Sequence, residues 1–237
     1  MHRHAGSLES ERCAGGPAMI EEAAALEVLD RLIEGNRRFV SGEGIRDLAQ
    51  EHARRRELVA DQAPCAIVLG CSDSRVPAEM VFDQGLGDLF VIRVAGNIVA
   101  PSQVGSIEFA ALRLGVRLVV VLGHTQCGAV QAALEEVERP SGNRSPNLGF
   151  IVNSILPSVE PLCTAGGGLD HETLVRCAVR ENIRASADHL RHGSQLLEQL
   201  IHDSGLLVVG AEYALETGVV DFFDGLPPGL RASDPRP

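Results

Sequence analysis

The chain has no lysine and no tryptophan, one tyrosine and three methionines in 237 residues. Its 21 basic residues are all arginine and are outnumbered by 32 acidic ones, for a formal net charge of -11. That balance lacks the basic face a phosphate backbone requires, which excludes nucleic acid as a partner. No apolar run approaches the roughly 18 residues of a membrane span, so no membrane partner is expected. The opening stretch MHRHAGSLESERCAGGPAM has no hydrophobic segment of the secretory kind. Without such a signal, six cysteines do not suggest a disulfide framework, and reduced thiols in the cytoplasm are expected. There is no Cys-x-x-Cys pair and no phosphate-binding P-loop, and GLGDLF lacks the third glycine of a dinucleotide fingerprint. A thiol-redox protein and a nucleotide-binding protein are therefore the weaker readings.

What is present is 45% hydrophobic, enough for the core of one large domain. An amphipathic pattern over 21–40, with Val28, Leu29, Leu32 and Ile33 on one side, predicts a helix, and a more charged one spans 47–61 before Pro64. CAIVLG (65–70) is a short continuous apolar run, as a strand buried on both faces should be; DLFVIRV (88–94) is a second strand and RLVVVLG (117–123) a third apolar one. Pro77 suits the first turn of a short helix, and Ser102 is the expected cap of a helix running to Leu114 and stopped by Gly115. Helices follow over 128–138, 148–161, 170–192 and 194–204. LLVVGAEY (206–213) is then a strand, with VVDFF (219–223) as its hairpin partner after the Thr217-Gly218 turn. This alternation predicts an α/β fold: a mainly parallel central sheet of four strands plus an antiparallel edge strand, with helices on both faces. Residues 1–18 and 225–237 read as tails around one domain, 19–224. In such sheets chemistry gathers beyond the carboxyl ends of the strands.

Two stretches sit at those ends. GCSDSR puts Cys71, Asp73 and Arg75 within five positions of each other, and GHTQCG puts His124 three residues before Cys127. Cys71 and Asp73 are two apart and share a face of an extended chain. Cys127 falls in the first turn of the next helix, where a thiolate is favoured. Taken singly, each residue has a plainer reading: a cysteine after a strand is ordinarily a small buried hydrophobe, and a lone histidine a packing or capping residue. Placed together, two thiolates, an imidazole and a carboxylate or water make a tetrahedral shell suited to Zn2+. Three protein ligands with an exchangeable position are the catalytic pattern; four fixed ligands are the structural one. Arg75 can hold Asp73 in a bidentate pair, keeping it ionised and off the metal. Cys13, Cys65, Cys163 and Cys177 lack such company: Cys65 and Cys177 are assigned to the core, Cys163 to a loop and Cys13 to a tail.

CSDSRVP followed by GHTQCGAV resembles the β-class carbonic anhydrases. The similarity extends through FDQGLGDLFVIRVAGN, GSIEFAALRLGVRLVVVLGH, AVRENIR and VVGAEYALETGVVDFF, covering roughly residues 22–223. The resemblance implies one Zn2+ per chain on Cys71, His124 and Cys127, with water or Asp73 in fourth place and Asp73–Arg75 as a dyad. Its implied reaction is the reversible hydration of CO2 to bicarbonate and a proton. It also implies that Gln62 hydrogen-bonds substrate, that Phe90, Ala95 and Phe109 line a CO2 pocket partly supplied by a neighbouring subunit, and that the Gly128 N–H approaches bicarbonate. A homodimer or homotetramer follows from the same resemblance. An apolar pocket suits CO2, which has no net dipole. Phe109 departs from the tyrosine of plant-like members. Val68 stands where allosteric bacterial members carry the tryptophan of an inhibitory bicarbonate pocket, although Arg93 is present. Gln84 and Asn97 are assigned turn or packing roles. Two alternatives share the ligand motifs: a carbon disulfide or carbonyl sulfide hydrolase, and a non-catalytic zinc-binding module with Asp73 permanently on the metal. The intact dyad and Gln62 favour the enzyme.

Overall fold

The computed structural model describes residues 17–44, 48–140, 145–165 and 169–228. Residues 1–16 and 229–237, most of the two expected tails, lie outside the described residues, and Cys13 with them. Eight helices are described: α1 (Pro17–Ser41), α2 (Leu48–Glu57), the single turn α3 (Ala78–Val81), α4 (Pro101–Arg113), α5 (Gly128–Glu138), α6 (Pro146–Ala165), α7 (His171–His192) and α8 (Gln195–Ser204). The strands are β1 (Ala66–Gly70), β2 (Leu89–Arg93), β3 (Leu118–His124), β4 (Leu207–Tyr213) and β5 (Val220–Asp224).

The strands form one sheet in the order β2-β1-β3-β4-β5, parallel throughout except for the antiparallel pair of β4 and β5. β1 and β3 are buried at every position, as their unbroken apolar runs demand. Alternate residues feed two cores. Ile67, Leu69, Val119 and Val121 join side chains of α4 to α8 on one face. Val68, Val120 and Leu122 join α1 and α3 on the other. Leu29 and Leu32 of α1 are fully buried there, each burial worth about 1.5–3 kcal/mol. Asn36 fastens α1 further: its Nδ2 donates to the carbonyls of Val81 (3.0 Å) and Gly218 (2.8 Å), and its Oδ1 accepts from the Val220 N–H (2.9 Å).

Several local expectations are corrected. α2 stops at Glu57, short of 61. The cap position of α4 is Ala100, with Pro101 in the first turn and Ser102 inside the helix; the ring that fixes φ and lacks an N–H suits that turn best. Cys163 lies on α6, which runs past Pro157 and Pro161, and is half-buried against the α4–α8 core. Cys65 and Cys177 are half-buried, not core. Gly115 ends α4 with φ 71°, as expected of a stop. No helix among the described residues is long and apolar enough to cross a membrane.

The chain moves from β1 to β2 on one side, then to β3 on the other side of β1. The carboxyl ends of β1 and β3 therefore flank the point where strand order reverses, the crevice in which open α/β sheets place ligands. Gly70 pairs with Leu122 on one side and Arg93 on the other, so Cys71 and His124 emerge next to each other.

Candidate metal centre

Cys71 follows the last residue of β1, His124 ends β3, and Cys127 occupies the cap position of α5. All three are buried, and their ligand atoms lie within 4.8 Å of one another. The two sulfurs are 4.0 Å apart, too far for a disulfide. Two ligands at ~2.3 Å from a tetrahedral ion would sit roughly 3.8 Å apart, so the spacing matches a shared cation.

The histidine is oriented by its backbone. His124 Nδ1 is 2.8 Å from the Thr125 carbonyl; a carbonyl only accepts, so Nδ1 carries the proton and Nε2 presents a lone pair. Nε2 is buried with no hydrogen-bond partner. A buried acceptor left empty beside two thiols is costly unless a cation fills it. Burial disfavours charge on His124, yet the adjacent Cys71 and the Thr125 carbonyl leave its pKa above the ordinary value. The two sulfurs are coupled through their contact. Cys71 is pulled down to about 4, first by its hydrogen bond with Cys127 and against burial. Cys127 is pushed up by the same bond and by burial. A dication would favour the thiolate form of both, and two thiolates with one imidazole are a donor set for zinc.

Asp73 stands at the rim. Its carboxylate accepts Arg75 Nε (2.9 Å), Arg75 Nη2 (2.8 Å) and the Arg75 backbone N–H (3.0 Å). The Arg75 hydrogen bonds hold its pKa far below the usual carboxylate range. Its Oδ2 is nevertheless only 3.9 Å from His124 Nε2. Arg93, on the edge strand, donates to the carbonyls of Cys71 (2.9 Å) and Asp73 (2.5 Å), fixing the segment that carries the first ligand.

The remaining expected site residues divide. Ala95 opens a 3-10 turn, Ala95–Asn97, beside the centre, and Gly128 is the exposed first residue of α5 with open space over its Cα. Phe90 of β2 and Phe109 of α4 have ring centroids 6.3 Å apart, and Phe109 is 49% exposed. Gln62 is exposed on the loop entering the amino end of β1, whereas Cys71 leaves its carboxyl end. The five residues of β1, at ~3.3 Å each, keep Gln62 away from its own centre.

Other neighbours were not singled out from sequence. The Gly96 N–H donates to Cys71 Sγ (3.4 Å), with Gly96 at φ 70°. α7 holds that turn through Asn182 Nδ2 on the Gly96 carbonyl (2.8 Å) and Ser186 Oγ on the Asn97 carbonyl (3.0 Å). The signal available was the Gly-Asn pair after a strand, a turn former. Between His124 and Cys127, Thr125 Oγ1 and Gln126 Nε2 donate to Glu216 at 3.0 and 2.7 Å. Nothing in the local sequence announces Glu216.

Comparison with known proteins gives a consistent result. Residues 66–220 match the family described as carbonic anhydrase. Carbonic anhydrase 2 of Mycobacterium tuberculosis is 38% identical over 187 residues, spanning 79% of this chain and 87% of that protein. A carbonic anhydrase of Mycolicibacterium smegmatis is 39% identical over 193 residues, 80% of this chain and 89% of its own length. Among solved structures, the β-carbonic anhydrase CafA of Aspergillus fumigatus superposes with a TM-score of 0.67 at 28% identity, covering 76% of this chain and 85% of that one.

Proposed function

This chain belongs to the β-class carbonic anhydrases and catalyses the reversible hydration of CO2, and we propose that it does so with one zinc ion per chain held by Cys71, His124 and Cys127. The observation that carries the assignment is the buried, unpartnered Nε2 of His124 beside two buried cysteine sulfurs 4.0 Å apart. Zinc, when bound, supplies a Lewis acid that lowers the pKa of a water ligand toward ~7, a magnitude for which carbonic anhydrases are the general example and which belongs to that general case.

The chain's own groups do the rest. Arg75 keeps Asp73 ionised and turned to itself, so that its carboxylate would stay off a bound ion; Asp73 Oδ2, 3.9 Å from His124 Nε2, would be placed to orient a reacting water by accepting its hydrogen bond. Phe90, Ala95 and Phe109 provide an apolar wall for CO2. The Gly128 N–H, at the start of α5, offers bicarbonate a donor where the helix dipole favours an anion. Gln62 serves the centre of a neighbouring copy, because it sits at the wrong end of β1 for its own. The chain therefore works as a homodimer or a larger homo-oligomer; a related structure from Sordaria macrospora, of like fold, is described as tetrameric. The five described cysteines are free thiols, which supports a reducing cytoplasm. The domain runs 19–224.

Zinc content and stopped-flow CO2 hydration on one sample test the reading. A full zinc complement without hydration would overturn the enzyme; hydration by an active monomer in sedimentation would overturn the shared site.

A further inference from the structure

Three residues connect β3 to α5, and they include two features that do not hold themselves. Gln126 lies at φ 56°, a left-handed conformation that costs a non-glycine residue about 1–2 kcal/mol. The outer side of the bend faces a cavity of about 450 Å3, lined among others by Thr125, Gln126, His171, Arg176 and Glu216, so no packed side chains press on it there. What reaches the bend is the connection between β4 and β5. Glu216 accepts Thr125 Oγ1 at 3.0 Å with one carboxylate oxygen and Gln126 Nε2 at 2.7 Å with the other. Thr125 is held again through its N–H on the Tyr213 carbonyl (3.0 Å) and its Oγ1 accepting the Leu215 N–H (3.0 Å).

We infer that Glu216 is a positioning residue for the metal centre: its carboxylate clamps both residues between His124 and Cys127 and so fixes the distance between two ligands. The inference rests on the zinc reading above and adds to it a group that never touches the metal. Glu216 is solvent-exposed, which limits each bond. Its leverage comes from the shortness of the bend, because a shift of about 0.5 Å in a two-residue span is felt at both ligands. Groups that orient ligands typically change metal affinity by about 10–100-fold when removed.

The test uses the full zinc-loaded chain and a chromophoric chelator, with release rate as the readout. Glu216→Ala should release zinc about 10–100-fold faster than wild type. Glu216→Gln, which keeps one acceptor oxygen, should fall between. Gln126→Ala removes one of the same bonds from the other side, and combined with Glu216→Ala should release zinc no faster than Glu216→Ala alone. Urea unfolding of the metal-free proteins separates a clamp from a surface contact: the clamp leaves the midpoints close together while release rates diverge. Equal release rates in wild type and variants overturn the inference, as do additive effects in the double variant. A wild-type chain that takes up no zinc at all overturns the centre itself, an outcome distinct from failure of the clamp.

Discussion

Replacing Gly96 with alanine should cost about 2–5 kcal/mol of stability and loosen the first ligand. Two terms combine. At φ 70° a Cβ costs about 1–2 kcal/mol. That Cβ would also lie 2.7 Å from Ile155 Cδ1 and 3.1 Å from the Ala129 Cβ, in a fully packed region, and overpacking of this kind costs about 1–3 kcal/mol. Total domain stability is about 5–15 kcal/mol, so the variant keeps its fold with a clearly lower urea midpoint. Because the Gly96 N–H donates to Cys71 Sγ, any shift of the turn also weakens the hold on that sulfur, and zinc should be lost to chelator sooner. Ile155→Val removes the methyl that the new Cβ meets and alone costs about 0.5–1.5 kcal/mol. Adding it to Gly96→Ala should cost less than that, or restore stability, since it relieves the closer of the two contacts. The assay is urea unfolding of the four metal-free proteins. Strict additivity, or a Gly96→Ala midpoint equal to wild type, would refute the steric account.

Cys127→Ser should abolish zinc binding and CO2 hydration together, read by metal analysis and stopped flow; a variant retaining full zinc would remove Cys127 from the ligand set. Arg75→Ala should retain zinc and lose most activity, because Asp73 is then free to turn toward the metal position. Asp73→Ala should also retain zinc, and the double variant should be little worse than either single one; additive losses would contradict a dyad. Asp170 caps α7, and its pKa is lowered chiefly by the Thr173 N–H and next by the Thr173 hydroxyl. A lowered carboxylate contributes stability above its unfolded value of about 3.9, lost as pH falls through the folded value. The deficit of Asp170→Asn relative to wild type should therefore be present at pH 7 and shrink below pH ~4, and a deficit constant with pH would exclude the charge as its source.

The strands were legible because a doubly covered parallel strand can be nothing but apolar: AIVLG and LVVVLG leave no polar position for solvent. The Cys71, His124 and Cys127 cluster was legible for a different reason. Each pair lies within a few residues, Cys71 with Asp73 and His124 with Cys127, and the strand-end rule brings the pairs together without any knowledge of register. Asn182, Glu216 and Arg93 were not legible as site residues, because their contacts are set by which distant elements the fold brings against the strand ends. Ser102 misled as a cap because Pro101, one residue earlier, satisfies the same helix start more rigidly. Gln62 is a subtler case: its role came only from the resemblance, and the length of β1 puts it and Cys71 at opposite ends of the strand.

The bend between His124 and Cys127 is held by groups some ninety positions further along the chain. On a ribosome moving at ~5–20 residues per second, the interval between the appearance of the last ligand and of Glu216 is about 5–20 seconds. During that interval the nascent chain displays two thiols and an imidazole without the hairpin that fixes their spacing. Loose thiols bind soft cations of many geometries, whereas a fixed spacing discriminates among them. The late hairpin thus leaves the spacing of the two thiols and the imidazole unset until Glu216 has been made.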